Sequence, residues 1–424
     1  MDFVKRQSHN NITGIFGVEC LNEDGTVMSL TDQAAVITHY LKLKNSGRFV
    51  QTYKSKGELI LRLWQDFIDR QPQPCYTGMV AEDSPQYMTY LFNDVYSSPF
   101  PPQYNPRFTF IDLFAGIGGF RLAMQACGGE CVFSSEWDEN AKHTYFHNFG
   151  EVPFGDITKE SNKQMIPTGF DVLCAGFPCQ AFSIAGYRKG FEDTRGTLFF
   201  DVAEIIRRNH PKAVYLENVK NLYTHDNGNT FAVIKQTLEE LGYIVYHQVM
   251  NAVDYANVPQ NRERIFIVCF DPKQVPNFAE FSFPEKEGLT KTIADCIDYT
   301  ISDKSYFYDE NFLHYDILAS EIKSKDTIYQ WRRQYVRENR NNVCPTLTAN
   351  MGTGGHNVPL ILTDKGIRKL TPKECINFQG YPEKYTFPQT LAKSAMYKQA
   401  GNSVVVPLIT KVCKQIVSVI LANS

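Results

Sequence analysis

The stretch FTFIDLFAGIGGFRLAMQACG, Phe108 to Gly128, decides the fold. FTFIDL is a short apolar run rich in aromatic and branched residues, as a buried strand requires. It runs straight into Gly116, Gly118 and Gly119, after which a helical pattern starts. Glycines at that corner permit a tight turn and let a ligand approach the backbone at a helix N-terminus. Twenty residues past Gly116 stands Glu136, at the end of a second strand-like run, ECVFSSE (130–136). A carboxylate there accepts hydrogen bonds from ribose hydroxyls. The two features together point to a nucleoside-containing cofactor. The spacing is G-x-G-G, so the G-x-G-x-x-G cradle for a dinucleotide pyrophosphate is not reproduced, which counts against a nicotinamide-dependent oxidoreductase. Trp137 is placed to stack on a purine, and Asp156 to accept from an exocyclic amine.

Outward from this unit, strand-like runs recur at FDVLCAGF (170–177), AVYLENV (213–219), YIVYHQVM (243–250) and RIFIVCF (264–270), with helical patterns at 197–209 and 229–241. This βα alternation predicts an α/β fold with a parallel sheet covered by helices on both faces. From Asp271 to about Lys365 the alternation disappears. Residues 402–423 then read as a helix with Val405, Leu408, Ile409, Val412, Ile416 and Val419 on one side, a core helix completing the earlier domain. Upstream, SSPFPPQYNPR (97–107) carries four prolines in eleven residues and reads as a linker. Residues 1–96 are an extension of unassigned role, with amphipathic helices expected over 32–44 and 56–70. The domains expected are thus 1–96, the linker 97–107, a catalytic and cofactor domain from 108–271 and 401–424, and a small domain over 272–400.

The chain has 424 residues, 43% hydrophobic and 21% charged, with a net charge of −3. That is an ordinary globular composition and excludes wholesale disorder. No run of about 20 apolar residues predicts a membrane span, and the N-terminus lacks the apolar core of a signal peptide, so a cytoplasmic protein is expected. Eleven cysteines, an odd number with no export signal, are expected as reduced thiols. Cys127 and Cys131 have no partner pair at finger spacing, so no metal site is expected. The mild acidity requires any nucleic-acid surface to be local.

The third strand-like run delivers AGFPCQAFS, with Cys179 just past the C-terminal end of a strand, where ligands of such sheets bind. A thiolate there is a candidate nucleophile. The next strand ends in LENV and brings Glu217 and Asn218 to the same edge, a carboxyl that serves as an acid if burial raises its pKa. In PQNRERIF, Arg262 and Arg264 alternate on one face of an extended segment and suit oxygen acceptors. A cysteine hydrolase would want a histidine base, and no histidine sits in such a corner.

FIDLFAGIGG, GFPCQAFS, ENV, QNRER, RKLTPKECINFQGYP (368–382) and GNSVVVP (401–407) follow one another in the order of the C5-cytosine DNA methyltransferases of bacterial restriction–modification systems, which this sequence resembles over about 108–271 and 366–424. The resemblance implies a Rossmann-like methyltransferase sheet with a smaller target-recognition domain. It implies that Phe114, Gly116, Gly118, Glu136, Trp137, Asp156, Ile157 and Asn402 bind S-adenosylmethionine, that Cys179 is the nucleophile, and that Glu217 and Arg264 engage the cytosine with Arg262 nearby. The loop 180–196, with Gln180 and Ser183, would close over duplex DNA. Ala185 stands where some relatives have serine, which puts one phosphate contact in doubt. A companion restriction endonuclease is implied as a functional partner rather than a physical one, and a monomer is expected. RNA substrates are disfavoured, because relatives acting on tRNA have a short recognition region.

Here that region, about 272–366, is long. It contains TIYQWRRQYVRENR (327–340), a local basic patch with Tyr329, Trp331 and Tyr335 interleaved. Arg332, Arg333 and Arg337 are its candidate DNA contacts, since arginine is the commonest reader of guanine and a general phosphate ligand. Thr346, in CPTLTANMGTGGHN (344–357), completes the set, and the glycines there would admit DNA closely. The recognition sequence stays open, with a lean from resemblance to GGWCC or GGNCC.

Overall fold

A computed structural model describes residues 28–43, 47–69, 97–178, 198–332, 334–339, 341–352 and 358–422. The chain opens with α1 (Leu30–Lys42) and α2 (Val50–Asp69), packed on each other. Ser29 caps α1 by accepting from the Asp32 N–H, so the helix starts two residues before the periodic pattern does. Gly57 of α2 lets the two helices touch: a Cβ there would lie 2.9 Å from Tyr40 Cγ.

The expected alternation follows: β1 (Phe108–Leu113), α3 (Gly119–Ala126), β2 (Gly129–Ser135), α4 (Glu139–Phe149), β3 (Val172–Ala175), α5 (Leu198–Asn209), β4 (Ala213–Val219), α6 (Asn229–Glu240), β5 (Ile244–Asn251) and β6 (Glu263–Phe270). These strands form one sheet in the order β2-β1-β3-β4-β6-β5. Helices cover both faces, as the pattern predicts. Ile111 and Leu113 of β1 share a core with α5, α6 and also α1 and α2. Phe108 and Phe110, on the alternate face, share one with α3 and the C-terminal helix.

The expectation of an all-parallel sheet is corrected. β6 runs antiparallel to both of its neighbours, β4 and β5. The reason is connection length. Only the residues between Asn251 and Glu263 join β5 to β6, and a parallel crossover needs a dozen or more residues, usually with a full helix.

The region without βα texture holds a second sheet, which hydrophobic alternation did not reveal. It is fully antiparallel, in the order β10-β9-β7-β8, from β7 (Ile328–Trp331), β8 (Val336–Asn339), β9 (Pro359–Thr363) and β10 (Gly366–Lys369). Its strands are four or five residues long, too short for a period to show. Tyr329 and Trp331 are buried in its core with Leu318, Leu360 and Ile367, so of the three interleaved aromatics only Tyr335 reaches solvent, 59% exposed.

The chain ends with α7 (Pro372–Asn377), α8 (Lys393–Asn402) and α9 (Val406–Leu421). The helix expected over 402–423 is α9, which starts at Val406 with Pro407 in its first turn; Asn402 instead ends α8, and Ser403–Val405 separate the two helices. By length and apolar composition Lys393–Leu421 could cross a bilayer. That was not anticipated from the sequence, but here α9 is a core helix packed on α3.

Candidate active site

A cavity of about 670 Å³ runs along the C-terminal ends of β1, β2, β3 and β4 and is closed by the α8–α9 break. Its first end is built by the glycine corner. Phe114 and Gly116 both have φ near +54°, and both line the cavity. A positive φ at phenylalanine is uncommon and strained; it turns the chain away from β1 within two residues. Glu136 follows β2 directly. Its carboxylate accepts from the N–H groups of Gly116 (2.7 Å), Trp137 (2.9 Å) and Asp138 (2.8 Å). Burial raises its pKa, opposed by those hydrogen bonds. Trp137 is 73% exposed and stands beside it, while Asp156 and Ile157 line the next wall. Asp156 Oδ1 accepts from the N–H and hydroxyl of Thr158. Asn402 comes from the last turn of α8 and lines the opposite wall.

The second end lies where β4 finishes. Glu217 is buried and makes an ion pair with Arg264, Nε to Oε1 3.0 Å. Burial raises the Glu217 pKa; Arg264 and then Arg262 work against it. Asn218 donates from Nδ2 to the Phe177 carbonyl at 2.9 Å, tying the ENV segment to the GFPC segment. Gly176, Phe177 and Pro178 line the cavity beside Glu217. Cys179 is the next residue in the chain; with Gln180 and Ser183 it lies outside the described residues.

Arg262 is engaged differently from Arg264. Its guanidinium is buried and donates to the carbonyls of Leu347 (2.9 Å), Gly401 (3.2 Å) and Ser403. Burial, then the charge of Arg264, lowers its pKa to about 9. It therefore clamps the small domain to the α8–α9 break rather than presenting a free charge, and its Nε alone has no partner. Gly401 permits that closeness, since a Cβ there would lie 2.1 Å from the Thr348 carbonyl carbon.

Gly118, also expected at the cofactor, is not among the residues lining the cavity. It faces α4, where a Cβ would lie 2.2 Å from Phe149 Cε2. Gly352 packs against Tyr397, where a Cβ would lie 2.6 Å from Cδ2. Sequence reasoning missed Ser135, Lys398 and Gln399, which all line the cavity. Lys398 pairs with Asp138 at 2.6 Å across a separation of 260 residues, for which no local pattern exists.

A second, polar cavity of about 560 Å³ lies beside β7 and β8, lined by Asn261, Gln330, Arg332, Arg337, Thr346 and Thr348 among others. Three of the four DNA contacts expected in the recognition region, Arg332, Arg337 and Thr346, thus share one surface; Arg333 lies outside the described residues. Arg332 donates to Gln330 Oε1 at 3.1 Å. Thr346 donates to the Asn261 carbonyl at 2.6 Å, which joins this surface to the segment carrying Arg262 and Arg264.

Residues 108–418 match the model of a family described as C-5 cytosine-specific DNA methylase. Among curated relatives, the Type II methyltransferase M.Bsp6I of Bacillus sp. (strain RFL6) is 52% identical over 308 residues, 72% of this chain and 96% of the relative. M.HpaII of Haemophilus parainfluenzae is 46% identical over 343 residues, 75% and 93% of the two chains. M.HhaI of Haemophilus parahaemolyticus is 45% identical over 311 residues, 70% and 90%. Among solved structures, the S. pombe Dnmt2 methyltransferase superposes with a TM-score of 0.55 at 19% identity, covering 74% of this chain and 99% of that one, which shows a shared fold.

Proposed function

Because the chain belongs to the C-5 cytosine-specific DNA methylase family, we propose that this DNA (cytosine-5)-methyltransferase modifies a flipped-out cytosine within a short specific duplex site, with S-adenosylmethionine as donor. Protection of host DNA from a companion restriction endonuclease is the role that follows, carried out in the cytoplasm by a monomer. The observation that carries the reading is the single cavity, with Gly116, Glu136 and Asp156 at one end and Glu217, Arg264 and Pro178 at the other.

The first end fits such a cofactor. Its volume lies in the range of small-molecule sites. Glu136 and Asp156 are acceptors for hydroxyl and amine groups, and Trp137 offers a stacking face. Ser135 Oγ and Gln399 Nε2 line the cavity buried and without partners, as groups awaiting a polar ligand are. When bound, S-adenosylmethionine supplies an electrophilic methyl group.

Cytosine C5 is a weak nucleophile. Attack of the Cys179 thiolate on C6 breaks the ring's aromaticity and puts electron density at C5. Glu217, protonated, donates to N3 and stabilises that density, while Arg264 holds both O2 and the Glu217 carboxyl. After C5 is methylated, its proton passes to water and the C6–sulfur bond breaks, returning the thiolate and the aromatic ring. A base stacked in a duplex cannot reach the end of β4, so it must leave the stack, at a cost on the order of a few kcal/mol. Arg332, Arg337 and Thr346, with Arg333, lie in the segment that reads the site.

The test is methyl transfer from labelled S-adenosylmethionine to unmethylated plasmid DNA, followed by bisulfite sequencing. Methylation at one position of one short motif is the expected result. A chain that binds the cofactor but leaves DNA unmodified would overturn the reading.

A further inference from the structure

The family match begins at Phe108, yet α1 and α2 contribute to the core beneath the cavity. β2 is an edge strand, and its outer backbone groups need partners. The extension supplies several of them. Tyr53 OH donates to the Val132 carbonyl at 2.9 Å and stands 3.1 Å from that of Met165. His39 holds its Nδ1–H on the Ala35 carbonyl at 2.8 Å, which leaves Nε2 to accept from the Ser134 N–H at 3.3 Å. Residues 152–154 run alongside β2, bonded to it through Phe154 N–H to Ser134 O and Glu136 N–H to Phe154 O, both 2.8 Å. The extension holds this segment too. Thr38 Oγ1 accepts from the Val152 N–H at 2.9 Å, and the His39 ring lies 4.8 Å from the Phe154 ring.

The two strips so held end in the cofactor walls. β2 leads into Glu136, and 152–154 leads into Asp156 and Ile157. α1 also adjoins Gly155, where a Cβ would lie 3.5 Å from Asp32 Oδ1.

We propose that the α1–α2 pair is a brace for the cofactor end of the cavity, in which Thr38, His39 and Tyr53 are positioning residues that fix Glu136 relative to Asp156. This rests on the cofactor reading above. None of the three lines the cavity; each acts through backbone that does.

The full-length chain tests this with three variants that remove or keep a single hydroxyl: Thr38→Val, Thr38→Ser and Tyr53→Phe. Thr38→Val leaves the buried Val152 N–H without its acceptor and should raise Kd and KM for S-adenosylmethionine about tenfold, the scale of one unmet buried group. Under saturating cofactor, kcat and KM for DNA should be unchanged. Tyr53→Phe should act in the same direction, and Thr38→Ser should restore wild-type affinity. If Thr38→Val and Tyr53→Phe lower the thermal midpoint but leave cofactor affinity unchanged, the pair only adds stability and the proposal fails. If the wild-type chain itself does not bind S-adenosylmethionine, the cofactor reading falls first and takes the brace with it.

Discussion

Arg264 Nε lies 3.0 Å from Glu217 Oε1 because β6 is reversed. Arg264 is paired with Val219, and Glu217 is its diagonal neighbour on the same face of the antiparallel ladder. A parallel β6 would have placed its first residues at the far end of β4. The strand that breaks the parallel pattern is therefore the one that assembles the Glu217–Arg264 end of the cavity.

Glu217 should show itself in the pH profile. Burial raises its pKa, and in the proposed reaction its protonated form donates to N3. Activity should therefore fall as pH rises through that raised value. Glu217→Ala should lower kcat by about 10²- to 10⁴-fold, the usual worth of a positioned acid. Glu217→Gln keeps a donor that does not titrate, so its residual activity should lack the alkaline limb. An unchanged limb in that variant would assign the titration elsewhere.

Cys179→Ser should lose nearly all methyl transfer while binding of DNA and S-adenosylmethionine survives, since a hydroxyl is a far poorer nucleophile than a thiolate. Steady-state turnover beside gel-shift and cofactor titration decides this. Retained turnover would remove the covalent step.

Beneath the glycine corner, Arg121 of α3 bonds both oxygens of Glu151, each residue almost fully buried. Arg121→Met would take the guanidinium from the buried Glu151 carboxylate, leaving it the Ser134 hydroxyl at 3.2 Å and His39 Nε2 at 3.2 Å, and should cost about 3–5 kcal/mol at neutral pH, read from urea unfolding. Burial alone would raise the Glu151 pKa, but Arg121, His39 and Lys42 together outweigh it and the net shift is downward. The folded pKa then lies below the unfolded value of about 4.3. The stabilisation is present above that value and is lost as pH falls through the folded pKa. Wild type should thus lose more stability than Arg121→Met on acidification.

On the recognition surface, Arg332 and Arg337 should separate. Arg332 is held by Gln330, and Arg332→Ala should cost about 1–3 kcal/mol of discrimination at one base pair. Arg337 is exposed on β8. Arg337→Ala should weaken binding to all sequences alike and reduce the slope of log K against log salt by about 1. Binding to cognate and altered duplexes at several salt concentrations distinguishes the two.

Much of this was legible from local pattern. The glycine corner, Glu136 and the GFPC and ENV strand ends announce themselves because each is a strand finishing in polar residues. The reversed β6 was not, since RIFIVCF reads the same in either direction; only the short β5–β6 connection carries the information. Arg262 looked like the twin of Arg264, and the carbonyls that occupy it come from residues 347, 401 and 403, which no spacing rule links. The contacts of α1 with 152–155 are of the same kind. The small sheet escaped because strands of four residues fit any period.

The docking of α9 on α3 sets the order of events at synthesis. The β1 face built from Phe108 and Phe110 stays open until Val412, Ile416 and Ile420 arrive, more than 300 positions downstream. A nascent chain from which residues 393–421 have not yet emerged lacks both that helix and the Asn402 wall of the cavity. Domains usually fold in the order they emerge, but this sheet must wait for α9. A stop codon anywhere before α9 yields a protein without a closed core.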